Sequence, residues 1–552
     1  MKPRKQPNLV LIMADDMGYS DLAGFGSTIR TPNLSRLAAE GIAYTGFYNT
    51  PRCCPSRAAL MTGLYPHQAG MGWQTALNMG LDGYEGNLNR RCRTIAEVLK
   101  PAGYSAYMSG KWHLCRAKDK SVPDARPLSR GFDRFFGMIG GAGSYWNPKS
   151  ARLGTEPAPC DPETFYYTDA ITDYACQFLD EHQQKTPEKP FFAYIAYTAP
   201  HWPLHAHRED IERYRGKFIK GWDVLREEKY ERMRSSGLLE RQWGLSDRDR
   251  EVPAWDTLPK DKREEFDLRM AIYSAQVDCM DQGVGRIMEC LKQSGVADDT
   301  LVLFLSDNGG CHEEIHWQTP PTELWGTERS FESYGRPWAN DSNAPFRMFK
   351  SWVHEGGIAT PLIAHWPNGI QKPGTVNREP GHVTDIMPTF CELAGATYPA
   401  GGDDQVHDLV GTSMVPSFRG GKYSRERMFW EHEGNRAMRM GCWKLVADGP
   451  EGPWELYDMD ADRTELHDLA SKDRRRVKAM ASEWHDIALA TNVYPLDGRK
   501  WNERIKASRR SRVDPRAFGE YGGRQAADRL TGKQSLSVLP ETESGSFSAR
   551  PG

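Results

Sequence analysis

Short runs that are apolar at every position alternate along this chain with longer stretches in which apolar residues return every three or four positions. The clearest runs are Leu9-Val10-Leu11-Ile12-Met13, Phe191-Phe192-Ala193-Tyr194-Ile195-Ala196, Leu301-Val302-Leu303-Phe304-Leu305 and Pro361-Leu362-Ile363-Ala364. A strand apolar on both faces belongs in a sheet covered by helices on both sides, so these runs predict an α/β fold with a mainly parallel sheet. Ile171, Tyr174, Ala175, Phe178 and Leu179 have the spacing of one buried helix face. Asn33 to Glu40 predicts a short helix, with Pro32 before it and Gly41 after it. Residues 262 to 293 predict a long helix that covers the sheet.

Two stretches depart from this alternation. Residues 202 to 260, rich in charge and Trp, predict a loop-and-helix insertion, and residues 312 to 345, polar and aromatic without period, predict a second long loop. From about residue 425 the segments shorten: Met428-Phe429-Trp430, Ala437 to Met440, Trp443 to Val446 and Glu455 to Asp458 predict a small antiparallel sheet, followed by a helix near 472 to 490. The expected architecture is a large α/β/α sandwich over residues 1–425 and a small C-terminal α+β subdomain over 426–500. A tail over 501–552 starts basic (Arg509, Arg510, Arg512), then turns Ser/Gly/Thr-rich, and its end is expected to be disordered.

Composition narrows the function. A net charge of −3 over 552 residues argues against a nucleic-acid binder, which needs a clustered basic surface. No run of apolar residues is long enough for a membrane-spanning helix. Met1 to Pro7 is basic and polar, and Asn8 to Ala14 is too short for the apolar core of a signal peptide. Two expectations remain: an exported, periplasmic protein whose signal is absent from this chain, or a cytoplasmic one. The 11 cysteines are scattered without a Cys-x-x-Cys pair and read as buried thiols, with one left over by their odd count.

The chemistry gathers at strand exits. Asp15-Asp16 follows the first apolar run and Asp307-Asn308 follows the third. In open parallel sheets the carboxyl ends of strands form the ligand crevice. An all-oxygen set there suits a hard cation, although Asp and Asn also favour strand exits as turn formers. Cys53 opens Cys-Cys-Pro-Ser-Arg-Ala-Ala-Leu-Met-Thr-Gly, in which Pro55 suits a first helical position, Arg57 to Met61 are helix formers and Gly63 closes the end. Cys53 therefore sits at a helix N-terminus that attracts anions, with Arg57 one turn in. A thiolate is a poor ligand for a hard cation, and the conflict disappears if Cys53 becomes an oxygen nucleophile.

The signature Cys-x-Pro-Ser-Arg-x-x-x-Met-Thr-Gly from Cys53 to Gly63 closely resembles that of the type I sulfatases of the alkaline phosphatase superfamily. The resemblance spans residues 8 to 470, and Ala344 to Gly357 looks like the bacterial arylsulfatase branch. It implies an alkaline phosphatase-like fold and a maturation enzyme that oxidises Cys53 to formylglycine, whose hydrate is the nucleophile. It also implies Ca²⁺, in preference to Mg²⁺, held by Asp15, Asp16, Asp307, Asn308 and the modified Cys53. Lys111 and His113, in Ser109-Gly110-Lys111-Trp112-His113, match positions at the sulfate and the diol. His201 matches a histidine near the leaving oxygen, and Lys350 a second sulfate-binding lysine. The implied reaction releases inorganic sulfate from an aryl sulfate or a sulfated carbohydrate. A phosphonate monoester hydrolase or phosphodiesterase shares this cysteine motif and is the rival enzyme. The non-enzyme rival is a metal-stabilised binding protein whose Cys53 is never oxidised. His67 is read as packing, while His312, His316 and Trp317 are candidates for the substrate pocket. The aromatic residues of 145 to 167 are read as core packing.

Overall fold

The four apolar runs lie side by side at the centre of one sheet. The computed structural model describes residues 6–116, 123–161, 163–499 and 503–506. Its strands are β1 (Asn8–Ala14), β2 (Ile42–Tyr48), β3 (Ser105–Gly110), β4 (Arg134–Met138), β5 (Ala151–Leu153), β6 (Glu156–Pro157), β7 (Phe191–Ala196), β8 (Thr300–Ser306), β9 (His316–Gln318) and β10 (Phe331–Glu332). They continue with β11 (Ala359–His365), β12 (Thr375–Asn377), β13 (Gly381–His382), β14 (Arg427–His432), β15 (Asn435–Met440), β16 (Trp443–Ala447) and β17 (Glu455–Asp458). The main sheet has 11 strands in the order β12-β2-β11-β8-β1-β7-β3-β4-β5-β6, with β13 beside β2.

β1 runs parallel to β7 and β8, and β3 runs parallel to β7 and β4. β11 is antiparallel to both β8 and β2, which makes the sheet mixed. Every residue of β1, β7, β8 and β11 is buried. Val10, Ile12, Ala193, Ile195, Val302 and Phe304 enter the core on one face. Leu9, Leu11, Phe192, Tyr194, Leu301 and Leu303 enter the core on the other. The period-two pleat thus feeds two apolar layers, as the runs require.

The first layer is covered by two packed helices, Tyr167–Lys185 and Lys260–Gln293; the second of these has 34 residues and is about 51 Å long at 1.5 Å per residue. Ile171, Ala175, Phe178 and Leu179 are buried, as their spacing predicts. The short N-terminal helix spans Pro32–Ala39. The 202–260 stretch contains helices Arg208–Glu212 and Trp222–Ser235. Trp222 and Trp255 pack edge-on there, with ring centroids 4.7 Å apart. The 312–345 stretch is not the aperiodic loop expected. It forms the β9–β10 hairpin and the buried helix Gly335–Ser342, pieces too short to register as a period.

β14 to β17 form a four-stranded antiparallel sheet, and helix Arg474–Ala490 packs on β15 and β16. Buried ion pairs tie β16 and the segment after β17 to the short helix Glu355–Ile358 that leads into β11. Lys444 lies 2.7 Å from Glu355, and Arg463 lies 2.9 Å from the same carboxylate. His67 joins them as a packing residue, buried against Tyr84 and 2.8 Å from Glu431. The expected tail over 501–552 lies outside the described residues apart from 503–506. No helix among the described residues is long and apolar enough to cross a membrane.

Candidate active site

Four adjacent parallel strands present their carboxyl ends to one point. Asp15 and Asp16 follow β1, Asp307 and Asn308 follow β8, Lys111 and His113 follow β3, and His201 comes soon after β7. Gly110 makes the β3 exit possible. Its φ is +118°, and a Cβ there would lie 2.0 Å from the Ala196 carbonyl oxygen, which also accepts a hydrogen bond from the Lys111 N–H at 2.8 Å. Non-glycine residues with positive φ recur around the site: Asp16 (63°), His113 (54°) and Ser351 (84°). Backbone held in so sparsely populated a region needs surroundings that over-determine it.

Cys53 is the first residue of a helix, Cys53–Thr62, that is buried throughout. Pro55 is its third residue rather than its first, still within the turn whose N–H groups lack helical partners. Ser56 secures the entry, donating to the Thr50 carbonyl at 2.8 Å and accepting from the Thr50 N–H at 3.1 Å. Gly63 ends the helix with φ +69°. The helix directs Arg57 inward, where its Nη2 lies 2.8 Å from Asp307 and 3.4 Å from Asp15.

Each carboxylate of the cluster holds a cation. Lys111 Nζ is 2.5 Å from Asp15 Oδ2, Lys350 Nζ is 2.7 Å from Asp16 Oδ2, and Arg57 takes Asp307. His201 Nε2 is 3.4 Å from Asp16, and its Nδ1 lies 2.6 Å from the Trp202 carbonyl oxygen. His113 Nε2 lies 3.2 Å from Cys54 Sγ. The structure therefore brings together the ten residues that the sequence offered for the metal and the sulfate: Asp15, Asp16, Cys53, Arg57, Lys111, His113, His201, Asp307, Asn308 and Lys350. Burial pushes the Asp307 carboxyl up to about 8, with Asp15 adding to the rise and Arg57 opposing it. Burial also works to raise Asp16, but Lys350 and His201 outweigh it and hold that carboxyl below its usual range. The Cys53 thiol is held well below its ordinary value by the Cys54 hydrogen bond and then, against burial, by Lys111 and His113.

The donor set can be tested for a metal. Asp15 Oδ1 and Asn308 Oδ1 are buried acceptors without a hydrogen-bond partner, which is costly unless something electropositive faces them. Oxygen atoms of Asp15 and Asp16 lie within 4.8 Å of each other and of a His201 ring nitrogen. An oxygen-rich set with unpartnered acceptors fits a hard divalent cation. Because Arg57, Lys111 and Lys350 already neutralise Asp15, Asp16 and Asp307, such an ion would leave the site positive and ready for an anion.

The sequence did not single out the residues at the mouth. Arg52 pairs with Glu313 at 2.8 Å, and Glu313 lies 3.7 Å from Lys350 and accepts from Trp202 Nε1 at 2.9 Å. Neither Arg52 nor Glu313 stands in a pattern that would have marked it. Of the pocket candidates, His312 stacks on Phe349, while His316 and Trp317 stand on the β9–β10 hairpin. Tyr145, Tyr166 and Tyr167 are core residues, as expected.

Fold and site together define a hydrolase of the alkaline phosphatase-like superfamily. Residues 7–396 match the Sulfatase family, and residues 346–487 match the C-terminal region of N-sulphoglucosamine sulphohydrolase. The chain belongs to the sulfatase family and is a sulfuric ester hydrolase. It is 35% identical to an uncharacterized sulfatase of Schizosaccharomyces pombe, over 89% of this chain and 94% of that one. It is 36% identical to the arylsulfatase of Klebsiella aerogenes, over 71% of this chain and 87% of that one. The crystal structure of Ps i-CgsB in complex with k-i-k-neocarrahexaose superposes with a TM-score of 0.66 at 27% identity, covering 93% of this chain and 99% of that one.

Proposed function

We propose that this sulfatase cleaves sulfate monoesters of carbohydrates with a nucleophile made from Cys53 and a Ca²⁺ ion held by Asp15, Asp16, Asp307 and Asn308. The observation that carries this reading is the pair of unpartnered buried oxygens, Asp15 Oδ1 and Asn308 Oδ1, at the ends of β1 and β8 beside the Cys53 helix. Formylglycine at position 53 would supply, as its hydrate, an oxygen nucleophile, and Ca²⁺ would supply charge stabilisation at the sulfate.

The chain's own residues do the rest. Arg57, Lys111 and Lys350 hold the sulfate and absorb charge as the S–O bond lengthens, and losing one such group costs on the order of 10²–10³ in rate. The Nζ of Lys350 is a proton donor available to the leaving oxygen, and His201, whose Nδ1–H is held by the Trp202 carbonyl, could serve only once it is also protonated at Nε2. Asp307 would accept a hydrogen bond from the attacking hydroxyl and so polarise it for attack on sulfur. His113 would take the proton of the second hydroxyl as the C–O bond to the sulfated oxygen breaks, so that sulfate leaves and the aldehyde is regenerated. Every residue of the Cys53–Thr62 helix is buried, so the maturation enzyme must reach Cys53 before the chain folds.

The saccharide complex of Ps i-CgsB favours a carbohydrate substrate. The test is sulfate release by matured, Ca²⁺-loaded enzyme from galactose and N-acetylglucosamine sulfates, with 4-nitrophenyl sulfate and an aryl phosphodiester in parallel. Release from a saccharide sulfate is expected. A strong preference for the phosphodiester would replace this reading with the phosphodiesterase one.

A further inference from the structure

Trp317 is 66% exposed, more than any other large apolar side chain among the described residues. One face of its ring stacks on Phe331, with centroids 4.9 Å apart and planes 19° off parallel. Its edge meets Trp202 at 5.5 Å, and the Trp202 ring lies 4.5 Å from that of His201. A continuous aromatic path thus runs from solvent to the histidine placed at the leaving oxygen. Its inner end is fixed by the Trp202 hydrogen bond to Glu313. The hairpin that carries it is anchored from behind, where Arg269 and His316 grip the buried Glu332 at 2.8 and 2.6 Å. An indole already held on one face by its neighbours loses little entropy on binding a flat apolar face.

The charge around this platform selects what can lie on it. Residues 312 to 332 carry Glu313, Glu314, Glu323, Glu328 and Glu332 against a single Arg329. Arg52 offsets Glu313, Arg269 offsets Glu332 and the His316 ring lies 3.2 Å from Glu314, while Glu323 and Glu328, in the connection between the two strands, are exposed. A densely sulfated chain would meet repulsion here, because like charges across an interface disfavour the wrong partner. A neutral sugar ring suits the place, with its C–H face on the indole and its hydroxyls toward the carboxylates.

Resting on the sulfatase reading, we propose that Trp317, with Phe331 and Trp202, forms a subsite for an uncharged sugar unit next to the sulfated one. The substrate is then a sparsely sulfated oligosaccharide.

The test takes whichever galactose or N-acetylglucosamine sulfate the matured enzyme cleaves best, as the monosaccharide, extended by a neutral hexose, and extended by a sulfated hexose. The neutral extension is expected to lower KM, and Trp317→Ala is expected to raise KM for that disaccharide about tenfold with kcat unchanged. Trp317→Phe should recover part of the loss, and the monosaccharide should be cleaved equally by all three enzymes. A sulfated extension that binds as well as the neutral one overturns the proposal. So does a Trp317→Ala effect that is absent, or equal on monosaccharide and disaccharide. Cleavage of 4-nitrophenyl sulfate but of no saccharide also overturns it while leaving the sulfatase reading intact. Failure to release sulfate from any ester would instead remove the reading on which the subsite rests.

Discussion

Replacing Arg57 by methionine keeps the side chain's bulk and removes the one cation that faces both Asp307 and Asp15. The wild-type guanidinium is fully buried, with Nε and Nη2 at 3.0 and 2.8 Å from Asp307 Oδ2 and Nη1 donating to the Lys111 carbonyl at 3.0 Å. Removing one partner of a buried ion pair costs about 3–5 kcal/mol. In wild type, burial already raises the Asp307 carboxyl to about 8, so the pair is only partly charged near neutral pH and the loss should fall at the lower end of that range. The metal-free variant should therefore melt several degrees below wild type. Calcium binding should move the other way. Removing a unit positive charge from beside the carboxylates would remove its repulsion of a divalent ion held there. A relief of about 1.4 kcal/mol would tighten binding roughly tenfold. Catalysis should nevertheless fall, with kcat/KM down about 10²–10³-fold, because the transition state loses a fixed cation. Scanning calorimetry across a calcium titration reads the first two effects, and sulfate release reads the third. Opposite signs for metal affinity and activity are the diagnostic. Calcium-dependent stabilisation that shrinks in Arg57→Met, or kcat/KM within about threefold of wild type, would refute the reasoning.

Other perturbations test separate parts of the molecule. Glu355→Gln strips the buried Arg463 of its carboxylate, whereas Lys444 keeps Glu465 at 2.7 Å, and denaturant unfolding should show a loss of about 3–5 kcal/mol, partly restored when Arg463→Met is added. Gly110→Ala forces a Cβ to 2.0 Å from the Ala196 carbonyl oxygen at φ +118°, so the variant should yield little soluble enzyme, and activity per folded molecule should drop with it. His205 is buried neutral, with its ring nitrogens 2.7 Å from the Ser330 carbonyl oxygen and 3.3 Å from the Tyr145 N–H, and burial pulls its pKa down to about 4. Its folded pKa lies below its unfolded one, so its contribution is intact above about pH 6.5 and is lost as pH falls toward 4, by at most about 3 kcal/mol. His205→Gln should flatten the acid limb of the stability profile in that window, and an unchanged limb would count against this assignment.

The centre of the fold was legible because its strands are buried on both faces. β1, β7, β8 and β11 read as unbroken apolar runs, and their exits held Asp15, Asp16, Asp307 and Asn308. β2 and β3 escaped notice. Thr45 and Gly46 interrupt one, and the other, Ser-Ala-Tyr-Met-Ser-Gly, has an intermediate-to-buried pattern without a clear period. Lys111 and His113, at the end of β3, were therefore reached through the family motif rather than from hydrophobicity. The 312–345 stretch failed as a loop because strands of three and two residues are shorter than any window in which a period can be seen. Arg52 and Glu313 became visible only in three dimensions, since a pair 261 positions apart leaves no local trace.

Peptide mass spectrometry across Cys53 to Arg57, on protein made with and without a formylglycine-generating enzyme, bears most directly on the nucleophile. Specific activity should rise in proportion to the fraction of chains in which the thiol has been replaced by an aldehyde, and should vanish in Cys53→Ala. Full sulfatase activity from protein whose Cys53 is an unmodified thiol would contradict it.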